Sequence, residues 1–282
     1  MSTVNPAIAE PGLTPAVRPV PALDVSGHPR VPFGRLLRVE FRKMLDTRAG
    51  FWLLVGTAAL VAVVLVIMTW VALVNDETTL SYTDYLAGVN FPLSAILPVL
   101  AILSVTQEWG QRTHLVTFTL EPSRLRVVAA KAVAVLGLAV AIMVVSLAVA
   151  ALANLAYGAM SGDGATWGIQ WMNLAGWSLN NVIGMAFAFA LGALLLNSAF
   201  AIVMYFAYWM ILSQIIAVGS MLLDWFADIA EWLDLQTAIM PMVETADSMS
   251  GQDWAQVGTA CLLWIVLPLL IGLRRIRRSE LK

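Results

Sequence analysis

Between Gln107 and Lys131 an otherwise apolar chain turns polar, with Glu108, Arg112, Arg124, Arg126 and Lys131 in one short stretch. Glu108 and Arg112 stand four residues apart, the spacing at which opposite charges pair along a helix face. Leu115, Phe118 and Leu120 follow, rimmed by Arg112, Arg124 and Arg126. Apolar patches left outside a core usually mark contacts with another molecule. The chemistry these residues offer is docking: an apolar knob in a charged collar. Residues suited to bond-making are absent. There is no Gly-x-x-x-x-Gly-Lys-Ser/Thr run to cradle a nucleotide phosphate, no Gly-x-Ser-x-Gly and no His-Glu-x-x-His. Cys261 is alone in an apolar run, and His28 and His114 are isolated, so neither a disulfide nor a metal site is expected. The chain reads as no enzyme, and any work it performs must be supplied by a partner.

The segments that position this island are apolar and long. Of the 282 residues 60% are hydrophobic and 12% charged, against about 25% charged in an average soluble domain. Such a chain hides its apolar surface in lipid, and the expected fold is an all-α polytopic membrane protein. A net charge of −2 points to no nucleic-acid partner. Residues 1–32 are rich in proline and poor in large apolar side chains, and read as a disordered cytoplasmic tail rather than a signal peptide. Residues 33–282 read as one six-span domain. From Phe33 to Arg48, Phe33, Leu36, Leu37, Phe41, Met44 and Leu45 share a helical stripe and Arg35, Arg38, Arg42, Lys43 and Asp46 lie off it. This is an amphipathic elbow helix at the inner interface of the bilayer.

Six apolar runs follow: Phe51–Val74, Leu86–Val105, Val127–Tyr157, Gly176–Leu196, Phe200–Ser220 and Trp254–Leu273. Pro92 and Pro98 should kink the second. Lys131, one turn into the third, is expected to snorkel to the interface. Residues 158–175 read as a loop, with Trp167, Trp171 and Trp177 as an interfacial aromatic belt. Residues 221–253 mix acids with Trp225, Phe226, Trp232 and Ile239, which suggests short re-entrant helices dipping into the outer leaflet. Every Lys and Arg lies before the first run, in the 107–131 island, or after the sixth run, while the other loops carry acids only. The positive-inside rule then puts both termini and the island in the cytoplasm. Asn90, Ser94, Ser146, Asn154, Asn180, Asn181 and Gln214 are the main polar residues inside the runs, and read chiefly as helix–helix glue.

Three features together resemble the membrane subunit of ATP-binding-cassette exporters of the type-2 class. They are the basic amphipathic stretch Val39–Arg48 before the first run, the island pattern of Glu108, Arg112-Thr113, Pro122-Ser123-Arg124 and Lys131, and six runs with a long outer segment between the fifth and sixth. The Glu-Ala-Ala…Gly loop of importers is missing. The resemblance implies a multi-pass protein of the inner or plasma membrane, paired with a second permease subunit, either the same chain or a similar one. It implies a separate ABC ATPase subunit that binds ATP and magnesium, leaving no cofactor in this chain. It makes 107–126 the coupling loop, with Glu108, Arg112, Leu115, Phe118 and Arg124 as ATPase-coupling residues. It also lines the substrate path with the second and fifth spans, through Asn90, Phe91, Ser94, Tyr205, Tyr208 and Gln214. The alternative is a polytopic scaffold or sensor that transports nothing.

Overall fold

The computed structural model describes residues 31–75, 79–111, 123–244 and 249–278, and these are helical with short connections. Nine helices account for them: α1 Phe33–Asp46, α2 Arg48–Val74, α3 Tyr82–Gly110, α4 Arg124–Ser161, α5 Trp171–Leu195, α6 Ser198–Leu222, α7 Asp224–Leu233, α8 Leu235–Glu244 and α9 Gly251–Arg278. Six of these, α2 to α6 and α9, are long and apolar enough to cross a membrane. Arg112, Leu115, Phe118, Pro122 and the tail as far as residue 30 lie outside the described residues.

The helices overrun the apolar runs because polar signals fix their ends. Ser81 and Asp84 form a capping box that starts α3 about one turn before its hydropathy rises, and Ser250 and Asp253 do the same for α9. α3 continues as a single helix through Pro92 and Pro98 as far as Gly110. α4 already begins at Arg124. The turn between α5 and α6 is as tight as the sequence implies: Leu196 takes a left-handed φ of 53° and Asn197 caps the Phe200 amide at 3.0 Å.

Burial identifies the centre. In their most apolar stretches α5 and α3 are 61% and 50% buried, against 17% for α2. The α3–α5 contact is close because Gly192 brings α5 onto α3: an added Cβ would sit 3.3 Å from Ile102 Cα. Ala188, Ala190 and Ala193 are fully buried nearby, with Leu93 and Ile102 of α3. One polar pair crosses this contact, Asn181 Nδ2 donating to Asn90 Oδ1 at 3.0 Å. α4, α2 and α6 flank the central pair, and α9 packs along α5.

The two ends of the bundle differ in charge. One gathers α1, the close of α3, the start of α4, the α5–α6 turn and the close of α9. There Arg124 donates to the Ile276 carbonyl at 2.6 Å, Arg275 to the Leu194 carbonyl at 2.9 Å, and Thr106 Oγ1 shares a hydrogen bond with Ser198 Oγ at 2.7 Å. At the other end the Thr166 carbonyl accepts from Tyr82 N at 2.9 Å and from Asn154 Nδ2 at 3.0 Å.

α7 and α8 fold back against α6, α5 and α9. A π-helical turn in α6, Tyr208–Leu212, and another in α9, Leu262–Val266, both serve the corner between α7 and α8. Tyr208 donates to Asp234 Oδ1 and accepts from the Leu235 amide, each at 2.8 Å, and Trp264 Nε1 donates to the Leu233 carbonyl at 2.7 Å.

Two local expectations are corrected. Trp177 is not part of an interfacial belt: it is 7% exposed and faces the interior, while Trp167 and Trp171 are exposed. Lys131 does not snorkel. It is 5% exposed and turned inward, for the reason that follows.

Candidate functional site

Where α1, the end of α3 and the start of α4 meet, four charged side chains close a ring. Lys131 Nζ donates to Glu40 Oε2 at 2.6 Å and to Glu108 Oε1 at 2.8 Å. Lys43 Nζ donates to Glu40 Oε1 and Glu108 Oε1, both at 2.8 Å. Cations and anions alternate, so every member has two opposite charges as neighbours and the ring is neutral. The Glu40 and Lys131 side chains are 4% and 6% exposed, Glu108 13% and Lys43 39%.

Each helix delivers its member for a local reason. In α1 the buried residues are Leu36, Glu40 and Met44, at i, i+4 and i+8. Glu40 therefore sits within the apolar stripe, and Lys43 follows at i+3 on the rim. Thr47 breaks the helix with ψ 142°, and its Oγ1 accepts from the Gly50 amide at 3.1 Å to start α2. This bend is possible because residue 50 is glycine; any Cβ there would overlap the Met44 carbonyl. Glu108 lies in the last turn of α3, and Lys131 on the face of α4 that packs against α1.

The electrostatics bind the three helices in register. Burial works to lower the Lys43 pKa, yet the hydrogen bonds and charges of Glu108 and Glu40 more than offset it and hold the ammonium above its ordinary 10.5. Replacing a buried ion network by apolar groups is often neutral, whereas removing one partner costs about 3–5 kcal/mol. The ring thus sets how the helices fit together more than how strongly they hold. Beside it lies a cavity of about 380 Å³, bordered by Met44, Leu100, Leu103, Gln107 and Gln111 as well as the ring itself.

The residues singled out in the sequence are distributed as follows. Glu108 is in the ring, and Arg124 holds the last carbonyls of α9. Asn90 accepts from Asn181, Ser94 Oγ donates to the Phe91 carbonyl at 3.0 Å, and Phe91 is 70% exposed. Tyr205 and Tyr208 are buried and share contacts with Phe187, at 5.6 and 4.8 Å between ring centroids. Gln214 borders a separate cavity beside α8. Within the chain these six residues thus lie in different surroundings.

Glu40, Lys43 and Asp234 were not among the site residues read from the sequence. A signal for Glu40 was present, as an acid midway between Leu36 and Met44 on an apolar stripe. Asp234, 1% exposed between Leu233 and Leu235, gave a similar one. Among the described residues no group of three His, Cys, Asp or Glu comes together as metal ligands.

Compared with known families, residues 36–218 match the family model described as ABC-2 family transporter protein. No curated protein matches the chain. The matched stretch runs from α1 through most of α6 and contains all four ring residues, and this multi-pass helical membrane protein belongs to the ABC-2 transporter family.

Proposed function

We propose that the chain is the permease subunit of an ATP-driven exporter, coupled through residues 107–126 to a separate ATPase subunit that binds ATP and magnesium. The observation that carries this reading is the ring. Glu108 opens the 107–126 segment and Lys131 follows it, and Glu40 and Lys43 tie both to α1. A push on that segment is then transmitted to α1, α3 and α4 as a unit instead of being absorbed in a flexible joint.

In this reading the basic end of the bundle faces the cytoplasm with both termini, α1 lies as an elbow at the inner interface, and α7–α8 re-enter the outer leaflet. A second copy or a similar chain completes the transporter. The substrate path runs between subunits, past Phe91, Ser94 and Asn90 on α3 and Gln214 on α6, with Tyr205 and Tyr208 supporting that wall from behind. The membrane is the inner or plasma membrane.

The deciding experiment is affinity purification from the native membrane. An ATPase with a phosphate-binding loop should co-purify and turn over ATP, and Phe118→Ala should weaken its retention. The chain purified alone should hydrolyse none. Recovery without any ATPase, or ATP hydrolysis by the chain in proven isolation, refutes the reading.

A further inference from the structure

α6 and α8 border a cavity of about 400 Å³ to which six polar residues contribute within a largely apolar wall. Ser213, Gln214 and Ser220 come from α6, and Asp234, Gln236 and Thr237 from the α7–α8 corner and the start of α8. Three properties of this wall point to an occupant.

The first is charge. Tyr208 and Ser213 donate to Asp234 Oδ1, and the Thr237 amide and hydroxyl to Oδ2, all within 2.8–2.9 Å. These four donors are neutral: they satisfy the lone pairs of the carboxylate without cancelling its charge. No Lys or Arg occurs between Lys131 and Arg274 to do so. The second is Gln236, whose Oε1 is shut from solvent with no hydrogen-bond partner. Turning that amide toward an occupant breaks no bond. The third is Gln214, exposed on a membrane-spanning helix and without a hydrogen bond among the described residues. A polar group in hydrocarbon without a partner is costly.

We propose that this cavity binds the cationic nitrogen head of an amphiphile. Its N–H groups donate to the side-chain oxygens of Gln214 and Gln236, and Asp234 supplies the countercharge. Met221 and Met240, flexible and polarizable side chains in the same wall, receive the apolar body. As a substrate class this rests on the exporter reading above, but the binding itself requires no ATPase.

The test uses the full chain alone in phosphatidylcholine nanodiscs, with rhodamine 6G as a cationic N–H-bearing probe and empty nanodiscs as the blank. Fluorescence anisotropy should show saturable binding, displaced by dodecylguanidinium and not by dodecyl sulfate. Gln236→Leu should weaken binding about tenfold, the order of one hydrogen bond to a charged group. Asp234→Asn should weaken it at least as much. Ser220→Leu, which fills the cavity without touching the carboxylate, should abolish it and decides the matter if Asp234→Asn does not fold. Absence of saturable binding by the unaltered chain, equal displacement by dodecyl sulfate, or unchanged affinity in Gln236→Leu and Ser220→Leu overturns the proposal. Because no ATPase is present, such a failure is separate from a failure to co-purify one.

Discussion

Lys131→Met removes one cation from the ring and leaves Glu40 and Glu108 with Lys43 alone. The lost contacts are the 2.6 and 2.8 Å bonds to side chains only 4% and 13% exposed. Uncompensated buried charge of this kind costs about 3–5 kcal/mol. At roughly 2–4 °C per kcal/mol for a chain of this size, the unfolding midpoint falls by roughly 6–20 °C. Lys43→Met removes two 2.8 Å bonds, but at a side chain 39% exposed. Solvent screening there limits the loss to about 1 kcal/mol. The decisive variant is the double change Lys131→Met with Glu40→Leu. It withdraws one cation and one anion together and leaves the Lys43–Glu108 bond in place, so it should cost less than Lys131→Met alone. The assay is tryptophan-monitored thermal unfolding in nanodiscs of the unaltered chain, Lys43→Met, Lys131→Met, Glu40→Leu and the double change, with the Lys131 and Glu40 variants read as a double-mutant cycle. Equal losses for Lys131→Met and Lys43→Met, or a double change that costs the sum of its parts, refutes the ring as a coupled buried unit.

Four further outcomes are expected. Gly50→Ala forces a Cβ into the Met44 carbonyl and should cost roughly 1–3 kcal/mol in the same assay. Tyr208→Phe strands the Leu235 amide and withdraws a donor from Asp234, a loss of about 1–3 kcal/mol that Phe206→Tyr should not rescue. The Lys43 pKa is raised in the folded protein, so its contribution is fully present below the ordinary 10.5 and is lost only as pH rises through the raised value; the stability difference between the unaltered chain and Lys43→Met should be constant through neutral and mildly alkaline pH. Single cysteines at Asp84, Asp163 and Asp247 in a Cys261→Ala background should react with an impermeant thiol reagent from outside intact cells, and those at Arg124 and Ser279 only after permeabilisation; outside labelling at Arg124 contradicts the proposed orientation.

The number and order of the spanning helices were legible because hydropathy is a local property, summed along each run. Helix ends were less so: α3 and α9 start at polar capping boxes that hydropathy ignores, although Ser81-x-x-Asp84 and Ser250-x-x-Asp253 are readable as such. The two short helices between α6 and α9 were foreseen from acids mixed with aromatics. The ring was not, since it depends on a meeting of residues 91 apart in the chain. Taken singly, Lys131 resembled any lysine near a helix start; only beside Glu40, an equally misplaced charge, does its inward turn make sense. Trp177 was misread because tryptophan near a span end has two outlets, lipid interface or helix contact, and the α8 backbone, close enough to require glycine at position 176, supplies the second.

The wide separation of the ring members along the chain bears on how the protein is made. A ribosome delivers Glu40 to the membrane 91 residues ahead of Lys131, an interval of roughly 5–20 s at usual synthesis speeds. Until Glu108 follows, 23 residues before Lys131, the newborn chain holds only Glu40 and Lys43 of the ring, and even then α1 has nothing to dock against but α2 and α3. Its placement stays correctable. Arrival of α4 closes the circuit of charges, and from then on withdrawing any one of the three segments would bare a charge in hydrocarbon. The ring therefore comes into being only with the third crossing, and the first half of the molecule is not tied together by charge until then.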